Sequence, residues 1–72
     1  MTDEKKLELL AEILECDVED ISADKVLADM EEWNSMAMLS LIVMMDDECG
    51  KTLTSGEIGK FKTVGDIMDF MD

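Results

Sequence analysis

The chain contains no histidine, arginine, tyrosine or proline among its 72 residues. Without histidine there is no side chain that ordinarily titrates near neutral pH, so a serine–histidine catalytic pair is excluded. Without arginine there is no planar side chain to hold a phosphate through two parallel hydrogen bonds. Carboxylates alone can act as acids and bases, but these absences argue against conventional catalysis. We therefore expect no catalytic residues and no enzyme activity.

Basic residues of any kind are few. The chain has six lysines against 19 acidic residues, which gives a formal net charge of −13. This charge repels nucleic acid and anionic membranes and attracts basic protein surfaces. We expect a monomer whose partners are proteins with basic docking surfaces, with neither nucleic acid nor membrane among them.

Cysteine is also scarce. Cys16 and Cys49 stand alone, with no CxxC spacing and no cluster of metal ligands. Both are typical of cysteines that stay in the reduced thiol form and serve as small packing residues, and no metal site is predicted. The first residues, MTDEKK, contain no apolar signal segment, and no stretch approaches the length that spans a membrane. These features predict a soluble cytoplasmic protein.

The composition supports folding, because 47% of the residues are apolar. A chain of this length is expected to form one domain, over residues 1–72. Apolar residues at three- and four-residue spacing predict a first helix over about residues 2–15, capped by Thr2. A long connection follows at residues 16–34. The second helix is predicted over residues 35–49, with Asn34 as its cap and Gly50 as its terminator.

Two capping patterns mark the last third of the chain. TSGE at residues 54–57 predicts a short third helix containing Ile58 and Phe61. TVGD at residues 63–66 opens a fourth helix, whose apolar face is Val64, Ile67, Met68 and Met71. The predicted fold is all-α: a small four-helix bundle with three longer helices, one short third helix and a long first loop.

The second helix is apolar almost all round, since only Ser40 is polar between Met36 and Met45. So small a domain cannot bury a helix on every side. At 100° per residue one stripe suits the core, namely Met38, Leu41, Ile42, Met45 and Cys49. The other stripe, Met36, Leu39 and Val43, lies near Ser35 and is expected to face a partner. The alternative is that this second stripe also packs inside.

Together these features resemble the acyl carrier protein family over essentially the whole chain. The resemblance rests on Asn34-Ser35-Met36 followed by AMLSLIVMMDDE, on LTSGEIGKFKTVGDIMDFM further along, and on the acidity. It implies that a phosphopantetheinyl transferase attaches 4′-phosphopantetheine from coenzyme A to the Ser35 hydroxyl. The thiol of this arm would carry an acyl group as a thioester, and the chain itself would be a group carrier.

The resemblance also implies a set of functional surfaces, used by acyl-transferring and acyl-modifying enzymes. The expected partner-binding residues are Asn34, Met36, Leu39, Val43, Asp46 and Asp47. The expected acyl pocket is lined by Ile42, Met45, Ile58, Phe61, Ile67 and Met71. Because these side chains are large, we expect long acyl chains to gain little shelter.

The sequence departs from the family pattern at the start of the second helix. Asn34 replaces the usual aspartate, which keeps the cap but removes a charge that the transferase commonly contacts. The first turns are also less acidic than usual, with Ala37, Met38 and Ser40. These differences weaken the expectation that a generic transferase acts on the chain. They favour a specialised fatty-acid, polyketide or related pathway.

Three other functions fit parts of the pattern. An aminoacyl or peptidyl carrier would share the same motif, and an unmodified helical interaction module would share the apolar face. A calcium sensor fits poorly. The loop-like windows at residues 46–57 and 20–31 have Lys51 and Lys25 at the position where an EF-hand loop needs glycine.

Overall fold

A computed structural model describes residues 2–71, which excludes Met1 and Asp72 of the predicted domain. The helices are α1 (Asp3–Ile13), α2 (Ser35–Cys49), α3 (Ser55–Ile58) and α4 (Val64–Met71). Two 3₁₀ turns, Val18–Asp20 and Leu27–Asp29, lie in the connection between α1 and α2. The predicted all-α bundle, with three longer helices and one short one, is confirmed.

The first two helices begin where their capping residues predict. The Thr2 Oγ1 atom accepts a hydrogen bond from the Lys5 amide at 3.2 Å, and the Asn34 Oδ1 atom accepts one from the Ala37 amide at 3.0 Å. The end of α1 was predicted two residues too late. The helix ends at Ile13, and Glu15 adopts a left-handed conformation with φ of 54°, which is not helical.

The end of α2 follows the predicted glycine rule. Gly50 has φ of 64° and ψ of 27°, a left-handed conformation that costs a residue with a Cβ more than it costs glycine. The amide of Gly50 donates to the carbonyl of Asp46, and the amide of Lys51 donates to that of Met45, each at 3.1 Å. These bonds satisfy carbonyl groups at the end of the helix.

The start of α4 is fixed by its own cap and by the long connection. Asp66 accepts hydrogen bonds from the amides of Lys62 and Thr63, while the Thr63 hydroxyl accepts one from the Asp66 amide. The amide of Gly65 donates to the Ala23 carbonyl at 2.7 Å. A Cβ on Gly65 would lie 2.9 Å from that same oxygen, so the close approach requires glycine. The connection is thereby tied to α4.

The third helix is shorter than predicted. It ends at Ile58, so Phe61 lies in the following turn and not within the helix. Phe61 instead packs its ring edge-on against Phe70 of α4, with ring centroids 5.8 Å apart. Lys51 reaches the same corner, where its ammonium donates to the Phe70 carbonyl at 2.7 Å.

One hydrophobic core joins all four helices. Its most deeply buried side chains are Leu10, Leu14, Leu27, Leu41, Met45, Val64 and Ile67. Leu41 and Met45 were predicted for the core face of α2. The other three predicted residues, Met38, Ile42 and Cys49, are partly buried and pack against the core, while Ala37 and Met44, which were not predicted, are buried as well. Met44 and Ala37 lie on the side of α2 that faces the end of α1, since each lines a hollow together with Ile13.

No helix within residues 2–71 is long and apolar enough to cross a membrane.

Candidate functional site

Ser35 is the first residue of α2, and it is exposed. The chain arrives through tight turns, in which the Trp33 amide donates to the Met30 carbonyl and the Asn34 amide donates to that of Glu32. Asn34 then caps the helix with its side chain. The serine therefore stands at a well-defined helix start and is open to solvent.

The backbone beside Ser35 offers unused donors. A helix leaves its first amides without intrahelical acceptors, and here the Asn34 side chain takes that of Ala37. Within residues 2–71, no hydrogen bond has the Ser35 or Met36 amide as its donor. The first turn of α2 also contains no acidic residue. Two amide donors and the positive end of the helix dipole thus favour a phosphate attached to Ser35.

An exposed apolar stripe runs down α2 from this point. Met36 is 77% exposed, Leu39 62% and Val43 54%. Asp46 and Asp47 are exposed at the far end of the same helix. The structure therefore places all the sequence-predicted partner residues along one helix, beginning next to Ser35.

An open groove lies between α1 and α2, with a volume of about 560 Å³. It is lined by Leu9, Glu12, Ile13, Glu15, Leu39, Ser40, Val43, Met44, Asp47 and Glu48. A smaller hollow of about 200 Å³ adjoins it and reaches Asn34 and Met36 beside the serine. We did not predict the groove from the sequence. The available signal was Leu9 and Ile13, which widen the apolar stripe of α1.

The residues predicted to line an acyl pocket lie elsewhere. Met45, Ile58, Ile67 and Met71 are buried in the core, and Ile42 and Phe61 are partly buried against it. None of the six lines the groove or the smaller hollow. The packing brings these side chains into one core, and their role as an acyl pocket stays a prediction.

The two cysteines are free thiols and are partly buried. Burial raises the pKa of Cys16 above its usual value, and the neighbouring carboxylates of Glu32, Asp20 and Asp17 raise it further. A raised pKa leaves less of the reactive thiolate at neutral pH. Within residues 2–71, no group of three or more histidine, cysteine, aspartate or glutamate side chains is arranged to hold a metal ion.

Comparison with known proteins decides the family. A family model described as the phosphopantetheine attachment site matches residues 7–71. The chain belongs to this family. The resemblance to acyl carrier proteins is thereby confirmed, and the cofactor of the family is covalently attached 4′-phosphopantetheine. No match is found among curated proteins or among solved structures.

The local structure fits such an arm. A phosphopantetheine group needs an accessible hydroxyl and an environment that tolerates its phosphodiester charge. Ser35 supplies the accessible hydroxyl. The amides of Ser35 and Met36 can donate to the phosphodiester, and the first turn of α2 contains no carboxylate to repel it. This carrier chain therefore has a suitable attachment geometry at the start of α2.

Proposed function

We propose that the chain is an acyl carrier protein modified at Ser35, and that it does no bond-making itself. The observation that carries this proposal is the exposed Ser35 at the first position of α2, beside two amides that donate to no acceptor within residues 2–71. Once attached, the phosphopantetheine arm supplies a thiol that holds an acyl group as a thioester. The chain contributes the attachment hydroxyl, a fixed helix start and a surface for partner enzymes.

The attachment reaction defines what the chain has to present. The Ser35 oxygen forms a new phosphodiester bond with the phosphopantetheine phosphorus of coenzyme A. The pyrophosphate bond of coenzyme A breaks, adenosine 3′,5′-bisphosphate leaves, and a base of the transferase takes the serine proton. The chain has no histidine, and the first turn of α2 has no carboxylate to act as that base, so the proposal assigns the catalytic groups to the transferase.

The apolar stripe of Met36, Leu39 and Val43 is the proposed landing surface for the transferase and for acyl-transferring and acyl-modifying enzymes. Its exposure supports this role, because exposed apolar side chains on one face mark interaction sites. Asn34 at one end and the carboxylates of Asp46 and Asp47 at the other set the orientation and attract basic surfaces. We further propose that the pathway is a specialised fatty-acid, polyketide or related one, because Asn34 and the uncharged first turn reduce the acidity at the serine.

The proposed acyl pocket is the space around Ile42, Met45, Ile58, Phe61, Ile67 and Met71. Four of these side chains are buried in the core, so an entering acyl chain has to displace packed atoms. The flexible methionines can make some room. We expect acyl groups longer than a few carbons to be only partly sheltered there.

Mass spectrometry after incubation with coenzyme A and a broad-specificity transferase tests the attachment site. One phosphopantetheine should be added to the wild type, none to Ser35→Ala, and one to the matched control Ser40→Ala. Ser40 is also an exposed serine of α2. The variant Asn34→Asp should be modified faster than the wild type if the missing charge slows a generic transferase. Modification that persists in Ser35→Ala overturns the proposal.

The cargo needs a second measurement. The group thioesterified on protein purified from its native source distinguishes an acyl carrier from an aminoacyl or peptidyl carrier. An acyl group without an α-amino nitrogen is the expected result, and an amino acid or peptide would contradict it.

A further inference from the structure

Met36 differs from the other methionines of the chain in its access to solvent. The chain contains eight methionines, of which seven lie within residues 2–71. Met36 is 77% exposed, whereas Met38 is partly buried and packs against the core. The remaining five are at most 8% exposed, namely Met30, Met44, Met45, Met68 and Met71. Within the described residues, Met36 is therefore the methionine that a small solute reaches most easily.

The two cysteines are the other sulfur-containing side chains, and both are partly buried. The pKa of Cys16 is raised by burial and by neighbouring carboxylates, which leaves less of the reactive thiolate at neutral pH. A thiol that is oxidised to a sulfenic acid or a disulfide is recovered by an added thiol, whereas a methionine sulfoxide is repaired by dedicated reductases. Oxidation of methionine and oxidation of cysteine can therefore be measured separately on this chain.

The position of Met36 connects its oxidation to the attachment site. Met36 follows Ser35 directly and begins the exposed apolar stripe that continues with Leu39 and Val43. Leucine and valine contain no sulfur, so a mild peroxide reacts within this stripe only at the residue beside the serine. The reaction replaces an apolar thioether with a polar, chiral sulfoxide. Oxidation of Met36 thus changes the surface next to the attachment hydroxyl.

Oxidation at Met36 should leave the fold intact. Changes at exposed positions usually alter stability little, because few packing contacts are lost. Met45 is the opposite case, since it is 0% exposed and a sulfoxide there would place a polar oxygen in the core. While the chain is folded, burial shelters the core methionines from an oxidant in solution. A mild oxidant can therefore modify the site without unfolding the domain.

We propose that Met36 is a reversible oxidation site, and that its oxidation by hydrogen peroxide slows phosphopantetheine attachment at Ser35. The Met36 sulfur donates an electron pair to one peroxide oxygen, the O–O bond breaks, and the other oxygen leaves as water. A reductase that uses two thiols reverses this step: the sulfoxide oxygen leaves as water and the thiols become a disulfide. The effect on attachment rests on the proposed function, because it assumes that the transferase contacts the surface beside Ser35.

Peptide mapping by mass spectrometry tests the selectivity of oxidation. The full chain without the arm is treated with millimolar hydrogen peroxide, quenched with catalase, and reduced with dithiothreitol to remove cysteine oxidation products. Met36 should be oxidised at least about fivefold faster than each of the other six methionines within residues 2–71, because oxidation follows exposure. Met1 lies outside the described residues and is scored on its own peptide. Faster oxidation of a core methionine would overturn the proposal.

The rate of phosphopantetheine attachment tests the consequence. Selective oxidation should lower this rate at least about threefold, and methionine sulfoxide reductases of both stereospecificities should restore it. In Met36→Leu, peroxide should leave the variant's own rate unchanged, whatever that rate is before treatment. The matched control Met38→Leu removes the neighbouring, partly buried methionine and should respond to peroxide as the wild type does.

Thermal melting separates a local effect from unfolding. The Tm of the chain oxidised at Met36 should shift by less than about 4 °C. Unfolding on oxidation of Met36 alone, an unchanged attachment rate after its full oxidation, or an equal loss of rate in Met36→Leu would each overturn the proposal. Failure of the carrier function is seen separately, because the untreated chain would then accept no phosphopantetheine. The effect on attachment falls with that function, whereas peptide mapping still decides whether Met36 is the oxidation site.

Discussion

Two leucines of α2 offer a sharp test of which face of the helix is available to partners. Leu39 is 62% exposed, and Leu41, two positions later, is 0% exposed. Replacing Leu41 with glutamate removes a buried side chain, which costs about 2–5 kcal/mol, and buries a carboxylate as well. At about 0.05–0.15 kcal/mol per residue, a domain of this size has a total stability of only about 4–11 kcal/mol. Leu41→Glu should therefore unfold most of the protein.

Leu39→Glu should change the free energy of unfolding by no more than about 0.5 kcal/mol, since exposed substitutions cost little. That corresponds to a shift of roughly 2–4 °C in Tm for a domain of this size. Thermal melting followed by circular dichroism measures both variants, and the rate of phosphopantetheine attachment should fall for Leu39→Glu while its fold persists. Leu39→Gln separates the loss of apolar surface from the added charge. Similar melting temperatures for the Leu39 and Leu41 variants would refute our assignment of the two faces.

Four further predictions follow from individual contacts and from the charge. Gly65→Ala should destabilise the fold by about 1–3 kcal/mol because its Cβ meets a backbone oxygen at 2.9 Å, whereas Gly56→Ala, with its nearest neighbour at 3.9 Å, should be neutral or stabilising in chemical denaturation. In a Cys49→Ser background, iodoacetamide should alkylate Cys16 more slowly than a free thiol at pH 8, with a rate midpoint above the usual thiol pKa. Hydrogen bonds from backbone amides lower the pKa of Asp66, so its contribution to stability is complete above its unfolded pKa and is lost as pH falls through its folded pKa. The melting difference between the wild type and Asp66→Asn should accordingly close in acid, and a difference that persists there would contradict this. Moderate salt should raise Tm by screening the repulsion within a chain of net charge −13, and a salt-independent Tm would show that repulsion does not limit stability.

The helix starts were predictable from the sequence because capping is a local interaction. Thr2 and Asn34 each accept a hydrogen bond from an amide only three residues away. The left-handed conformation of Gly50 likewise follows from a residue that lacks a Cβ. Such contacts span less than one helical turn, so the arrangement of the rest of the chain hardly alters them.

Features that depend on distant parts of the chain could not be predicted in the same way. The close approach of Gly65 to Ala23 joins residues that are far apart in sequence. The buried face of α2 was also misjudged at Ala37 and Met44. In a helix that is apolar on every side, the spacing of the apolar residues does not reveal which side is buried. Which sides of α2 are covered depends on where the other helices pack, and the groove is lined by residues of α1 and α2.

The acidity and the exposed apolar surface of this carrier chain are best understood together. Apolar side chains as exposed as Met36 and Leu39 would ordinarily promote association between copies. Every copy, however, has the same net charge of −13, so like surfaces repel before apolar contact is made. A basic partner meets the opposite situation, since attraction brings it to the surface and apolar burial then holds it. If our proposal holds, the charge selects the partner while the apolar stripe supplies affinity. A carrier that visits several enzymes would need both, because an apolar surface alone would not distinguish an enzyme from another carrier.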